Sequence, residues 1–243
     1  MFASVGSTSD VLRERAAAGA GAGAVAIAEQ QTEGRGQHGR RWLAPPGSSL
    51  LMSVLLRAST GEALAAAPLR IGLAVAQAVE ERTGVDVRLK WPNDLLVADR
   101  KVGGILCEAV TTATSASIIA GIGLNCLQAA HDFPPELAPF AASLRMVGGR
   151  VVRAELAGAI LRALADCGGH VAEPLSQTEL QAFAARDALY GRSIVVDDAP
   201  IGIADGITPA GALRVRADTG LLTVHSGSVR LARVRDVAHE RAQ

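Results

Sequence analysis

Between residues 87 and 126 the chain alternates short apolar runs with turn signals, and this leaves the fold little freedom. "VRLKW", "DLLVA" and "VGGILCEAV" read as strands joined by tight turns at Pro92-Asn93 and Asp99-Arg100, and "SIIAGIGLNC" reads as another. Upstream, "AVAIAEQ" (24–30) and "SLLMSVLLR" (49–57) read as two more strands. Helical patterns flank them. One starts at Ser7 and Thr8 and is ended by the glycines from Gly19. A second begins near Pro68, with Ile71, Val75 and Val79 on one face. A third, residues 153–167, places Leu156, Ile160, Leu164 and Cys167 on one side. After about residue 188 the texture changes to short β-type runs between turn signals at Asp197-Asp198, Pro209-Gly211 and Asp218-Gly220, which predicts a small all-β module.

A chain of 243 residues suits one large domain, or one domain with a small appendage. Its formal net charge is zero, so any basic function is local, and a general nucleic-acid binder is disfavoured. Cys107, Cys126 and Cys167 lack metal-ligand spacing and point to a reducing cytoplasm. "MFASVGSTSD" has no signal-peptide pattern, and no apolar stretch is long enough for a membrane span.

Two stretches carry the chemistry. "TEGRGQHGRRW" (32–42) contains a G-x-G-x-x-G pattern, but Pro45, Pro46 and Gly47 follow almost at once, so no helix can open on the last glycine and a dinucleotide turn is excluded. Glycines let backbone N–H groups approach an anion, and Arg35, Arg40 and Arg41 add fork-shaped donors. An anion-binding loop that orders around its ligand fits both; a solvated surface loop is the plainer alternative. In "KWPNDLLVADRKVGGILCE" (90–108), Lys101 precedes Gly103-Gly104 at the start of an apolar strand, where a lysine can reach a cleft while the backbone packs close to a ligand. Alone, this reads equally well as a hairpin with a solvated lysine. "GIGLN" (121–125) reads alone as a close-packed buried strand.

In combination these segments are specific. "GSTSD", "AEQQTEGRGQHGRRW", "KWPNDLL", "KVGGILCE" and "GIGLN", spanning residues 6 to 125 in this order, resemble the biotin protein ligases. The resemblance implies an α+β, class II synthetase-like catalytic domain over residues 1–188, a mixed sheet with flanking helices. An SH3-like β-barrel follows over 189–243. It implies an enzyme that uses ATP and Mg²⁺ to activate biotin as biotinyl-5′-AMP. The enzyme then transfers biotin to a lysine of a biotin carboxyl carrier domain.

By the same resemblance, Lys101 and Arg35 meet the biotin carboxylate and the α-phosphate. Ser7, Thr8 and Gln31 hydrogen-bond the ureido head, and Gly104 and Gly121 allow close backbone approach. Arg40, Trp42, Lys90, Asn93 and Asn125 line the nucleotide side, with Trp42 near the adenine. Asp94 positions either the carrier lysine or a Mg²⁺. The chain departs from the family at Ser9, where asparagine is usual, and at Gln37, where arginine is usual. Two alternatives share the fold: a lipoate or octanoate transferase, and a biotin-responsive transcriptional regulator. The latter needs a helix-turn-helix ahead of Gly6, so no DNA partner is expected. A monomer or a homodimer is compatible with the family.

Overall fold

The computed structural model describes residues 1–58, 64–111, 116–167 and 171–232; the last stretch of the expected β module, 233–243, lies outside them. A six-stranded sheet forms the centre. Its strands are β1 (Val25–Ala28), β2 (Ser49–Ala58), β3 (Arg88–Lys90), β4 (Asp94–Val97), β5 (Arg100–Thr111) and β6 (Ala116–Asn125), in the order β1-β2-β6-β5-β4-β3. Every ladder in it is antiparallel. Among the described residues, parallel pairing enters the expected mixed sheet only as isolated bridges, including Phe2 with Ala28 and Val5 with Gln31 at one edge, and Leu89 with Asp187 at the other.

The helices cover the two faces unequally. α1 (Thr8–Ala17) packs Leu12 and Ala16 on Ala26, Leu55 and Ile119. On the opposite face α2 (Ala67–Thr83) and α3 (Arg153–Asp166) bury Ile71, Val75, Val79, Leu156 and Ile160 against Val54, Ile118 and Ile122. β2 is buried over its first eight residues because both faces are covered, which is why its sequence is continuously apolar rather than alternating. Pro68 sits in the first turn of α2. Gly84 ends that helix at φ 72°, a left-handed conformation that favours glycine. A fourth helix, α4 (Gln177–Arg186), was not read from the sequence. It is capped by Ser176 and Glu179 in a reciprocal box.

The second sheet is antiparallel: β7 (Ser193–Val196), β8 (Ala199–Ile207), β9 (Leu213–Ala217), β10 (Gly220–Val224) and β11 (Val229–Leu231), ordered β10-β9-β8-β7-β11. Two tight turns use paired left-handed residues, Ala98-Asp99 before β5 and Asp197-Asp198 before β8. The first is one residue earlier than the sequence suggests. Val196, Leu213 and Val215 join the same apolar core as Val75 and Leu95. Trp91 is buried at this junction, and its indole N–H donates to the Gly211 carbonyl at 2.9 Å.

Candidate active site

A cavity of about 300 Å³ opens above the centre of the six-stranded sheet, and all thirteen residues expected at the site line it. Asp94 opens β4, and Lys101 follows the turn into β5. The pairing runs Asp94 to Gly104 and Leu95 to Gly103, then jumps to Leu96 with Lys101, leaving Val102 as a bulge. In a regular strand residues 101 and 104 would face opposite sides. The bulge puts them on one side: a Cβ built on Gly104 would lie 3.3 Å from the Lys101 Nζ. Val102 turns into the core instead.

The Lys101 ammonium lies 2.5 Å from Asp94 Oδ1, and the Lys90 ammonium 3.2 Å from Oδ2. Burial alone would raise the Asp94 carboxyl, but the two ammonium groups outweigh it and hold the pKa below the usual value. Asp94 thus enters the cavity as an anion shared between two cations.

Gly104 pairs with Gly123 across the sheet, and Trp42 lies on this pair. A Cβ at Gly123 would come within 2.8 Å of the indole ring. The Lys101 Nζ stands 5.7 Å from the ring centroid, a cation–π distance. The indole Nε1 is buried and has no partner among the described residues. Gly123 was not singled out from the sequence; its signal is the alternation of glycines in "GIGLN".

The arginine–glycine stretch is a small hairpin rather than an open loop. The Trp42 N–H donates to the Gly34 carbonyl at 2.9 Å and the Gly36 N–H to the Arg40 carbonyl at 2.8 Å. The tip, Gln37–Gly39, is one 3-10 turn with His38 at φ 55°. Gly34 has no room for a side chain, since its Cβ would sit 2.6 Å from the Trp42 carbonyl oxygen. Two side chains fasten the hairpin elsewhere. Arg40 donates to Ser228 Oγ at 2.7 Å, which brings Gly227, Ser228 and Val229 of the terminal sheet to the cavity. Arg35 pairs through both terminal nitrogens with Asp10, at 2.6 and 2.7 Å. The Arg35 hydrogen bonds are the main reason the Asp10 carboxyl titrates below the usual range.

The deepest part of the cavity is lined with hydroxyls. Ser7 caps α1. The Gln31 side-chain oxygen accepts from the Thr8 N–H at 2.7 Å and from its hydroxyl at 2.9 Å. Thr8 and Ser9 both reach Ser53 Oγ, at 2.7 and 3.1 Å. Gly121 leaves space for Ser9, whose Oγ is 3.1 Å from where a Cβ would be. Ser9 and Ser53 belong to this end. A serine in the middle of the apolar run "SLLMSVLLR" was the signal for Ser53.

Asn93 and Asn125 also line the cavity, but each uses its side-chain N–H₂ on a backbone carbonyl, Ile105 at 2.7 Å and Ala142 at 3.1 Å. Asn125 also accepts from Gln128 at 3.2 Å. They shape the wall more than they offer free donors. The segment before Ala142 forms that wall: Phe133, Leu137, Phe140 and Ala141 face the cavity. It is fastened at Lys101, whose N–H donates to the Phe140 carbonyl at 2.7 Å and whose carbonyl accepts from the Ala142 N–H at 2.9 Å. The sequence reading did not single out this segment.

A protein-held Mg²⁺ does not fit these residues. Asp94 is the one carboxylate among the described residues lining the cavity, and both its oxygens face ammonium groups. No group of three potential ligands clusters anywhere among the described residues. Among those residues, no helix is long and apolar enough to cross a membrane.

A bulged lysine beside a glycine pair, an arginine–glycine hairpin and a hydroxyl-lined end thus meet in one cavity. The model of the biotin/lipoate A/B protein ligase family matches residues 1–125, just over half of the chain, and the chain belongs to that family. It is 33% identical to the biotin--[acetyl-CoA-carboxylase] ligase of Paracoccus denitrificans, over 82% of this chain and 87% of that one. It is 29% identical to the bifunctional ligase/repressor BirA of Bacillus subtilis, over 93% of this chain and 72% of that one. The biotin protein ligase from Aquifex aeolicus in complex with biotin and ATP superposes with a TM-score of 0.83 at 28% identity, covering 96% of this chain and 98% of that one.

Proposed function

We propose that this chain is an ATP-dependent biotin ligase: it joins the biotin carboxylate to the α-phosphate of ATP, releasing pyrophosphate, and passes the biotinyl group to a carrier-protein lysine, releasing AMP. The observation that carries this is the convergence of the thirteen expected residues on one cavity. The Paracoccus denitrificans and Aquifex aeolicus relatives named above, biotin ligases by name, support it.

The first step brings one anion to another. At about 4 Å and an effective dielectric near 20, two unit charges repel by roughly 4 kcal/mol. Lys101, Lys90 and Arg35 offset this, and their effect grows as charge builds at the α-phosphate. Asp94 orients the two lysines. Thr8, Ser9, Gln31 and Ser53 form a polar end suited to the donors and acceptors of a ureido ring. Trp42 supplies a flat apolar surface for the base, and the terminal sheet, an SH3-like cap, closes the nucleotide side through Ser228. Among the described residues no side-chain cage is offered for Mg²⁺, so the ion would be held by the triphosphate itself.

The test is direct. The purified chain is incubated with ATP, Mg²⁺, biotin and a biotin carrier domain, and the carrier is weighed by mass spectrometry. A biotinyl mass increment is expected. No increment, with a lipoyl domain modified instead when lipoate is supplied, overturns the reading in favour of a lipoate ligase.

A further inference from the structure

We propose that Asp10 is a positioning residue: it holds Arg35, and through it the hairpin from Gly34 to Trp42, in place over the cavity. The functional consequence rests on the ligase reading; the structural one does not. Arg35 stands between Gly34 and Gly36, and a guanidinium on so permissive a backbone has much rotamer freedom to lose. Asp10 removes that freedom with a two-pronged contact at 2.6 and 2.7 Å. Glu108 Oε2 stands behind it, 3.7 Å from the same guanidinium. Arg13 ties the two acids together, bonding Asp10 and reaching Glu108 Oε1 at 2.8 Å. The result is a ring of two carboxylates and two guanidiniums with no net charge.

Its placement decides its role. Asp10 lies in the first turn of α1, directly after Ser7, Thr8 and Ser9 of the cavity, and Glu108 lies on β5 beyond Gly104. Both acids therefore sit on packed elements, and the hairpin is the part being placed. A guanidinium carries five N–H donors and the Asp10 fork uses two, so Arg35 keeps donors for a ligand anion while its position is fixed. Arg35 and Asp10 are each about one-third exposed, so the pair is modest in strength: enough to aim the loop without locking it.

Amide hydrogen exchange on the ligand-free full chain tests this. Asp10→Asn should speed exchange at Gly36 and Trp42, the hairpin donors, by about five-fold, a change on the scale of one modest ion pair. Exchange within α1 should stay unchanged, and Asp10→Glu should restore protection. In the biotin-dependent reaction, Asp10→Asn should raise KM for biotin by a similar factor with little change in kcat. It should add nothing in an Arg35→Ala background. Unchanged hairpin exchange, an equal loosening of α1, or additive effects with Arg35→Ala would each overturn the proposal. Failure of the ligase reading is distinguishable: the wild-type chain would then show no biotin-dependent ATP–pyrophosphate exchange, whatever the hairpin does.

Discussion

Replacing Glu179 with glutamine should destabilise the chain in a way that fades with acid. Arg70, only 5% exposed on α2, reaches Glu179 at 2.5 and 3.1 Å and also donates to the carbonyls of Val171, Glu173 and Pro174. This knot joins α2 to α4 and to the strap before it. The Arg70 contact is the main reason the Glu179 carboxyl titrates at about 2 rather than 4.5. A drop of that size, discounted for the solvent that reaches this partly exposed carboxyl, corresponds to about 1–2 kcal/mol of preference for the folded anion. Because the folded pKa is depressed, this stability is fully present above the ordinary value and is lost as pH falls from about 4.5 toward 2. Urea unfolding at pH 7 should therefore show Glu179→Gln less stable than wild type by about 1–2 kcal/mol, and the gap should shrink to about half by pH 3. A gap that stays constant across that range would mean that packing, not charge, holds the knot.

Three further outcomes concern the site. Lys101→Ala should retain the wild-type circular dichroism spectrum yet lose biotin-dependent pyrophosphate exchange by at least about 10²-fold, as expected for removing a preorganised cation; near-normal exchange would remove Lys101 from its assigned role. Gly123→Ala places a methyl within 2.8 Å of Trp42, so the ring must lift, visible as a shift in Trp42 emission against the buried Trp91, with a raised KM for ATP; an unshifted spectrum refutes the stacking. Gln37→Arg, which adds a charged donor at the cavity, should slow release of preloaded biotinyl-5′-AMP by about five-fold in a chase with unlabelled ligand; equal release rates would show that residue 37 does not retain the intermediate.

Much of this was legible because several strand ends are punctuated. The turn signals at Pro92-Asn93 and Asp99-Arg100 placed β4 and β5, an apolar run marked β6, and Pro68 marked the start of α2. α4 was also legible in principle, since "SQTE" is a capping box, but its apolar stripe is weak, with Phe183 its one buried residue. The site residues were assigned through the resemblance to biotin protein ligases; their partners were not. That Lys101 shares a face with Gly104 depends on the Val102 bulge, a register event between strands that a single strand's alternation cannot reveal. Nothing in the sequence marks Asp10, because its partner is 25 positions away. The hairpin's hydrogen bonds to itself were hidden behind its glycines, which suggest only looseness.

The parallel bridges at the margins of the central sheet have a consequence for anyone handling this chain. Beside β1, the Phe2 N–H donates to Ile27, the Glu29 N–H to Phe2, the Thr32 N–H to Val5 and the Glu33 N–H to Gly6, and the next residue is Ser7 of the cavity. The first residues are thus a selvedge that keeps the cloth from fraying. Trimmed or displaced by a fused tag, they would leave bare amide and carbonyl groups along β1, a ready template for pairing with another copy. The same cut would untie Gln31, whose neighbours Gln30 and Thr32 are both bonded to Val5. Turbidity and lost biotin affinity should then appear together, from a deletion that removes no residue of the pocket.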